Sequence, residues 1–578
     1  MKKSKYFKFI FLISMFFATS CTDMLNETPL SSLSPDNLFA SVKDVETAMT
    51  GMYAGFTPYF ATLTPVRGWG EHGADIWGGI SVDQKFALYT YTSADADVLE
   101  VWSKLYSIIN RANNIIDNVP KVDATETEQK RYMAEAYFVR AFCYMDLVQY
   151  FGGVPLRLKP TSSIEEALSL PRSTEKETYT QIFSDLEYAE QYLPTKAAVG
   201  RVSKWTAKGL LAKAYLTRGG YPVGNYSEPE WFQKAATKAY EVISSSGIVL
   251  NPTTAGSKGA FKEYGNQFLA AGKNSPESLF EIQFLDPDFG SAWGWRSING
   301  GLNMDNSTYG SYYNMWGGGV IGSDFALSYN DDDIRFQWSM GPFTTNATTR
   351  LASICNGWGP YKYRWTSRPG NVWNSPINHI VLRMADVYLI YAEACNEATG
   401  DPNNSSMGMS AYSAINVVRK RAQIILMDDA YLLKDSPFAA PELLYNMSLK
   451  SFDKTNANYN KRHVYYTGTP KERFRAAVLM ERGWELMMER HRWFDLKRTG
   501  KLVEFCKNTH ILEGGQLATT ALVDPIDKSS FKDVASLPKL GARVWPSANI
   551  QPYQNYMPIP NTEININPAM KGAQNPGY

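Results

Sequence analysis

The stretch from Val478 to Gly500, VLMERGWELMMERHRWFDLKRTG, most constrains what this chain can fold into. At helical spacing Glu481, Glu485 and Glu489 follow one another at i, i+4. Arg492, Asp495 and Arg498 fall at i, i+3 steps, where opposite charges meet on one face. Leu486, Trp493 and Leu496 add apolar bulk. Gly500 suits the C′ position of one continuous helix, with Lys497 and Arg498 in a last turn where the helix dipole favours cations. A helix that interleaves rings, acids and arginines cannot face only water, nor lie in a purely apolar core. Its charges need partners from neighbouring helices. The rival reading makes Glu481, Glu485 or Glu489 a catalytic acid, but structural ion pairs produce the same density of charge.

Other helices supply those neighbours. Asp44 to Phe56 carries apolar residues at helical spacing, and Leu99 to Val119 has a continuous apolar stripe through Trp102, Leu105, Ile109 and Ile116. Ala134 to Phe151 ends at Gly152 and Gly153. Glu175 to Leu193 is a further helix. Ser203 to Arg218 pairs with Glu230 to Ser244, and Arg383 to Thr399 with Ser410 to Ala422. Small residues recur where such helices cross closely: Ala136, Ala141, Ala207, Ala212, Ala214, Ala392 and Ala394. The expected fold is mostly α, a tetratricopeptide-like scaffold of helical hairpins with little β, although no strict 34-residue register runs through it.

Two stretches break the helical spacing. Thr57 to Thr92 is rich in glycine and aromatic residues and reads as a long loop. From about 251 to 376 the chain makes loops and short apolar runs, with Leu279 to Phe284 (LFEIQF) as a short strand. A rigid scaffold carrying loops of this kind tends to place binding residues on them. The chain therefore divides into a leader at 1–20, an N-terminal helical domain at 21–250 and a C-terminal domain at 251–578 that includes the excursion.

No HExxH, GxSxG or P-loop motif appears, and the five histidines are scattered. Asp331-Asp332-Asp333, followed by Arg335, lacks the spacing of a calcium loop and reads as a solvated turn with a local Arg pair. Neither cofactor nor metal is expected. The net charge of +1 gives no pull toward nucleic acid. The surplus is aromatic: 15 Trp and 35 Tyr, beyond what a core of this size alone would ask for. Sugar rings stack their C–H faces on such side chains while amides, carboxylates and guanidiniums take the hydroxyls. Arg67, Trp69, Asp75 and Trp77 form one candidate group of this composition. Trp293, Trp295, Arg296, Asn303, Tyr309, Tyr312, Tyr313 and Trp316 form the other. Each ring has core packing as its plainer explanation.

The N-terminus is a targeting segment. Lys2, Lys3, Lys5 and Lys8 precede the short apolar run Phe9 to Phe17, too short to span a bilayer. Ala18-Thr19-Ser20-Cys21 resembles a bacterial lipobox with Cys21 as the lipidated residue, although Ala18 stands where Leu is commoner. Cys143 and Cys395 lie in apolar helical patterns as buried free thiols, and no disulfide framework is expected.

The charged segment carries a resemblance. Glu481, Arg482, Glu485, Leu486, Glu489, Arg492, Asp495, Leu496, Arg498 and Gly500 stand in a pattern similar to the signature helix of the SusD/RagB family of outer-membrane nutrient-binding lipoproteins. Pro558 to Tyr578 resembles the ending of that family, and related segments cover nearly the whole mature chain. The resemblance implies a surface-exposed lipoprotein of the outer membrane, a glycan ligand, and hand-over to a SusC-type TonB-dependent transporter without bond breaking. A non-sugar cargo such as peptide, as in RagB-like relatives, is the first alternative. A glycoside hydrolase would need two carboxyls about 5–10 Å apart across a cleft. A helical scaffold binding only protein is the last.

Overall fold

The structure, a computed structural model, describes residues 39–61, 73–79, 84–256, 259–284, 304–306, 310–312, 319–321, 325, 328–329, 333–342, 358–360, 362–363, 376–434, 466–509 and 549–578. A stack of helices runs through them. The chain enters with α1 (Val42–Ala54) and α2 (Phe56–Ala61), separated at Gly55, and then β1 (Trp77–Gly79). Five long helices follow: α3 (Ala96–Asn118), α4 (Glu126–Phe151), α5 (Glu175–Tyr192), α6 (Lys204–Gly219) and α7 (Pro229–Ser245). Each packs against the next in sequence. Polar caps fix where they start. Thr125 with Glu128, Thr174 with Glu177 and Ser203 with Thr206 form capping boxes that satisfy the first free N–H groups. The Thr125–Glu128 box starts α4 eight residues before the apolar run that marks it in the sequence.

Helix α4 is buried over nearly all of Ala134 to Phe151, so it is the spine of the stack rather than a surface helix. All seven small residues expected at helix crossings are fully buried. At Gly209 of α6 an added methyl would stand 2.6 Å from the Leu382 side chain, so α6 lies close against the sheet there. Cys143 and Cys395 are buried free thiols, Cys506 is buried, and Cys355 lies outside the described residues.

After α7 the chain leaves the stack. Leu279 to Phe284 does hold a strand, β2 (Ser278–Ile282). It is followed by β3 (Met304–Asn306), β4 (Gly310–Tyr312), β5 (Gly319–Ile321), helix α8 (Ile334–Ser339), β6 (Met340–Pro342), β7 (Trp358–Pro360) and β8 (His379–Arg383). The strands pair two by two and antiparallel: β1 with β5, β2 with β8, β3 with β4, β6 with β7. The chain then returns as α9 (Met384–Thr399), which packs on α7 and so continues the stack across the excursion. α10 (Ala411–Arg421), α11 (Pro470–Leu486), α12 (Arg492–Arg498) and α13 (Leu502–Asn508) complete it. The family-like C-terminus is a strap over the end of α4. Met557 N donates to Tyr150 O at 2.7 Å, and Asn575 Nδ2 to Phe151 O at 2.9 Å, which satisfies carbonyls a helix end leaves free.

Two expectations are corrected. The segment 478–500 is not one helix: α11 stops at Leu486 and α12 starts at Arg492. Met488 and Arg490 between them adopt φ of +66° and +65°, a left-handed conformation that ends an α-helix. Gly500 does cap α12 with φ +71°, its N–H reaching Lys497 O while Lys501 N reaches Leu496 O. The turn at Asp333 and Arg335 is not solvated. Both residues are fully buried, and their local pair, Nη2 to Oδ2 at 2.8 Å, is one part of a larger network.

Candidate functional site

The charged residues of the 481–498 segment are buried and matched one against another. Glu481 accepts from Arg335 and Arg419, both at 2.6 Å. Glu485 accepts from Arg383 at 2.6 Å, from Arg335 at 3.1 Å and from Arg421. Glu489, in the turn, accepts from Arg383 at 2.7 Å and from Lys362. Arg482 bridges Asp386 of α9 and Asp495 of α12, 2.8 Å to each. Arg498 grips Glu393 at 2.5 and 2.8 Å and Asp495 at 2.9 Å. Burial would raise the Glu485 carboxyl, but the guanidiniums of Arg421, Arg383 and Arg335 hold it well below the usual range. Asp495, also opposed by burial, is brought down to about 2 by Arg482 and Arg498. Removing any one member leaves an uncompensated buried charge, so the network ties β8, α8, α9, α10 and α11 into one register.

That network reaches the first candidate stretch. Arg492 Nε and Nη2 donate to the two oxygens of Asp75 at 2.8 and 2.7 Å. Gly73 O accepts from Tyr89 Oη and from Cys506 Sγ, and Ala74 and Ile76 are fully buried. The chain is thus clamped over 73–76 and emerges directly as β1. Strand β1 pairs antiparallel with β5, Trp77 opposite Ile321 and Gly79 opposite Gly319. Strand β4, carrying Tyr312, pairs with β3 in a hairpin that sets Tyr312 opposite Met304. The two stretches singled out in the sequence are more than 200 positions apart; the ladder sets the end of the first, at Trp77, against Gly319–Ile321, which follows the second in sequence, while Met304–Asn306 and Gly310–Tyr312 pair with each other.

The candidates fall in three groups. Asp75 is an anchor, with both oxygens taken by Arg492. Trp77 lies on β1, paired with β5, and Tyr312 on β4, paired with β3 in a separate sheet. Arg67, Trp69, Trp293, Trp295, Arg296, Asn303, Tyr309, Tyr313 and Trp316 lie outside the described residues, as does Cys21. Sequence reasoning required partners for the signature charges without naming them. Arg335, Lys362, Arg383, Arg419 and Arg421 are those partners for the acids, and Asp75, Asp386 and Glu393 for the arginines. Many rings are core: Trp102, Trp338, Trp484 and Trp493 are all buried. His379 stacks on Phe60 at 4.6 Å and His491 contacts Lys213 Nζ at 2.9 Å, so these two histidines are packed inside. Among the described residues no cluster of His, Cys, Asp or Glu has a metal-holding arrangement, and no helix is long and apolar enough to cross a membrane.

Residues 276–578, more than half of the chain, match the SusD family. The chain belongs to that family. Residues 33–216 match a SusD-like family described as starch-binding and associating with the outer membrane. SusD-like protein P25 of Formosa agariphila is 27% identical, the match covering 100% of both chains. The fold is that of solved SusD structures. A SusD homolog from Bacteroides thetaiotaomicron superposes with a TM-score of 0.67 at 22% identity, covering 94% of this chain and 98% of that one. A laminarin-binding SusD-like protein superposes with a TM-score of 0.64 at 21% identity, covering 93% and 100%. In this SusD protein the segment 478–500 is the junction on which the helical stack and the paired strands are hung.

Proposed function

We propose that this SusD protein captures oligosaccharide on the loops around β1 and β5 and passes it, unbroken, to a SusC-type TonB-dependent transporter of the outer membrane. The reading is supported by the β1–β5 ladder, which sets Trp77–Gly79, next in sequence to Trp69, against Gly319–Ile321, next in sequence to the run that holds Trp293, Trp295, Arg296, Asn303, Tyr309, Tyr312 and Trp316. Flat rings beside amides and guanidiniums on a rigid frame suit a polyhydroxylated ligand. The starch-binding description of the matched family and the laminarin bound by a structural neighbour support the same ligand class. Lipid on Cys21 would tether the chain to the outer membrane with its bulk at the cell surface. The N-terminal helices would supply a docking face for the barrel. No turnover is proposed: Glu481, Glu485 and Glu489 are consumed by buried cations, and an acid with no access to solvent or cleft cannot protonate a glycosidic oxygen.

A polysaccharide panel on protein lacking residues 1–21, read by affinity gel and calorimetry, tests this reading. Retarded migration and heat with at least one glycan, and no reducing-end release, are expected. Failure of every glycan together with capture of peptide would replace the ligand class, and release of sugar from any of them would replace binding with hydrolysis. Replacing Cys21 with Ser should move the protein from the outer-membrane fraction to the soluble one.

A further inference from the structure

A small cavity of about 50 Å³ lies where α2, α4, α6, β8 and the α11–α12 turn meet, with apolar walls that include Phe60 and Phe142 and with Asp146, Lys213, Arg490 and His491 set among them. Arg490 is 8% exposed and sits in the left-handed turn at φ +65°. Its Nη2 donates to Tyr150 Oη at 2.7 Å, to Tyr59 Oη at 3.2 Å and to Asp146 at 3.3 Å. Its Nε–H is buried and has no acceptor. A buried guanidinium N–H without a partner is costly, and a non-glycine residue held in this backbone conformation adds to the cost.

The neighbours of Arg490 are donors as well. Lys213 Nζ spends two of its three N–H groups, on Asp386 at 3.2 Å and on His491 Nδ1 at 2.9 Å. An ammonium only donates, so Nδ1 of His491 accepts and its proton resides on Nε2, a further donor. The carboxylates in the wall are already occupied. Asp495 is held by Arg482 and Arg498, Glu489 by Arg383 and Lys362, and Asp146 by Tyr59 and Arg490. Arg490, Lys213 and His491 all line the cavity, and the Nε–H of Arg490 is buried there without a partner. Space of this size admits a few water-sized particles and no sugar or peptide.

We propose that this cavity is an internal site for a small monovalent anion of the halide class, with Arg490 Nε–H as its main donor and Lys213 and His491 as the others. The ion would fasten α4 and α6 of the N-terminal helices to the turn of the signature segment. It is separate from the loops that carry the glycan reading and stands whether or not that reading does.

Crystals of the whole mature chain grown in sodium bromide test it. An anomalous difference peak in the cavity beside Arg490 Nε is expected. In solution the thermal midpoint should rise with chloride or bromide at an ionic strength held constant with gluconate, as an ion that binds only the folded state requires. Arg490→Gln should abolish that halide-dependent rise. Lys213→Met, which leaves the Arg490 turn intact, should reduce it if the first variant fails to fold. Density without anomalous signal would mean water in the cavity and would overturn the proposal. So would a midpoint indifferent to halide, or a rise of equal size in Lys213→Met.

Discussion

Arg492 and Asp75, 417 residues apart in the chain, face each other as a two-pronged buried ion pair with contacts of 2.8 and 2.7 Å. This one pair joins the family signature to the strand that leads into the candidate ligand loops. The guanidinium is further held by Leu479 O at 2.9 Å and lies over the rings of Phe325 and Phe505. Its position is therefore set by the helices, and Asp75 follows it.

Asp75→Ala should be costly. It leaves the Arg492 guanidinium buried without its carboxylate, and breaking such a pair typically costs about 3–5 kcal/mol. Urea denaturation should show a lowered midpoint, and protease should cut first near the 73–79 stretch. A variant with the midpoint of the parent would mean that Asp75 does not anchor β1.

Acid should unfold the protein through the network. Asp495 has a folded value of about 2 against roughly 3.9 in an unfolded chain. A depressed carboxyl stabilises above its unfolded value, and that stability is lost as pH falls toward the folded one. The window is roughly pH 4 to 2, worth about 2–3 kcal/mol for this group. Asp333 and Asp185, raised by burial, act in the opposite sense, so the variant-specific difference is what counts. Asp495→Asn should be less stable at pH 6 and should show a flatter loss between pH 4 and 2. A parallel acid slope in parent and variant would contradict the assignment.

Lys497 should make the protein gain stability on the alkaline side. Its ammonium is buried, donates to Gln149 O, and lies 3.6 Å from the ring centre of Tyr556 in the C-terminal strap. Burial brings it down to about 7, against roughly 10.4 unfolded. Between those values the unfolded chain holds a proton that the folded chain lacks, so stability rises with pH over that window. The thermal midpoint should climb from pH 7 to pH 9, and Lys497→Met should remove most of the climb. An unchanged slope in the variant would contradict this.

The sequence carried the scaffold because its signals are local. Apolar spacing, terminal glycines and the alanines at crossings each act within a turn or two, and the helices they mark are present, although the Thr125 cap starts α4 eight residues before its apolar run. The break at Met487–His491 was not legible. Its causes are tertiary contacts: Glu489, in the turn, is held by Arg383 and Lys362, and Arg492, which starts α12, is held by Asp75. The burial of Asp333 and Arg335 was hidden for the same reason, since a charged turn looks solvated until Glu481 and Glu485 are placed beside it. Of the candidate site, composition showed which rings to consider. It did not show that β1 and β5 pair, because a three-residue strand carries almost no pattern of its own.

We propose that a charge-locked helical frame carries the aromatic loops that bind glycan. The most direct measurement is calorimetric titration of the glycan that the panel identifies into the parent and into a variant with Trp69, Trp77, Trp293, Trp295 and Trp316 all changed to Ala. Each stacked ring is worth about 0.5–1.5 kcal/mol, roughly a two- to tenfold change in affinity. The account predicts that the variant keeps the parent's urea midpoint and loses detectable binding. Undiminished affinity in a folded variant would contradict it.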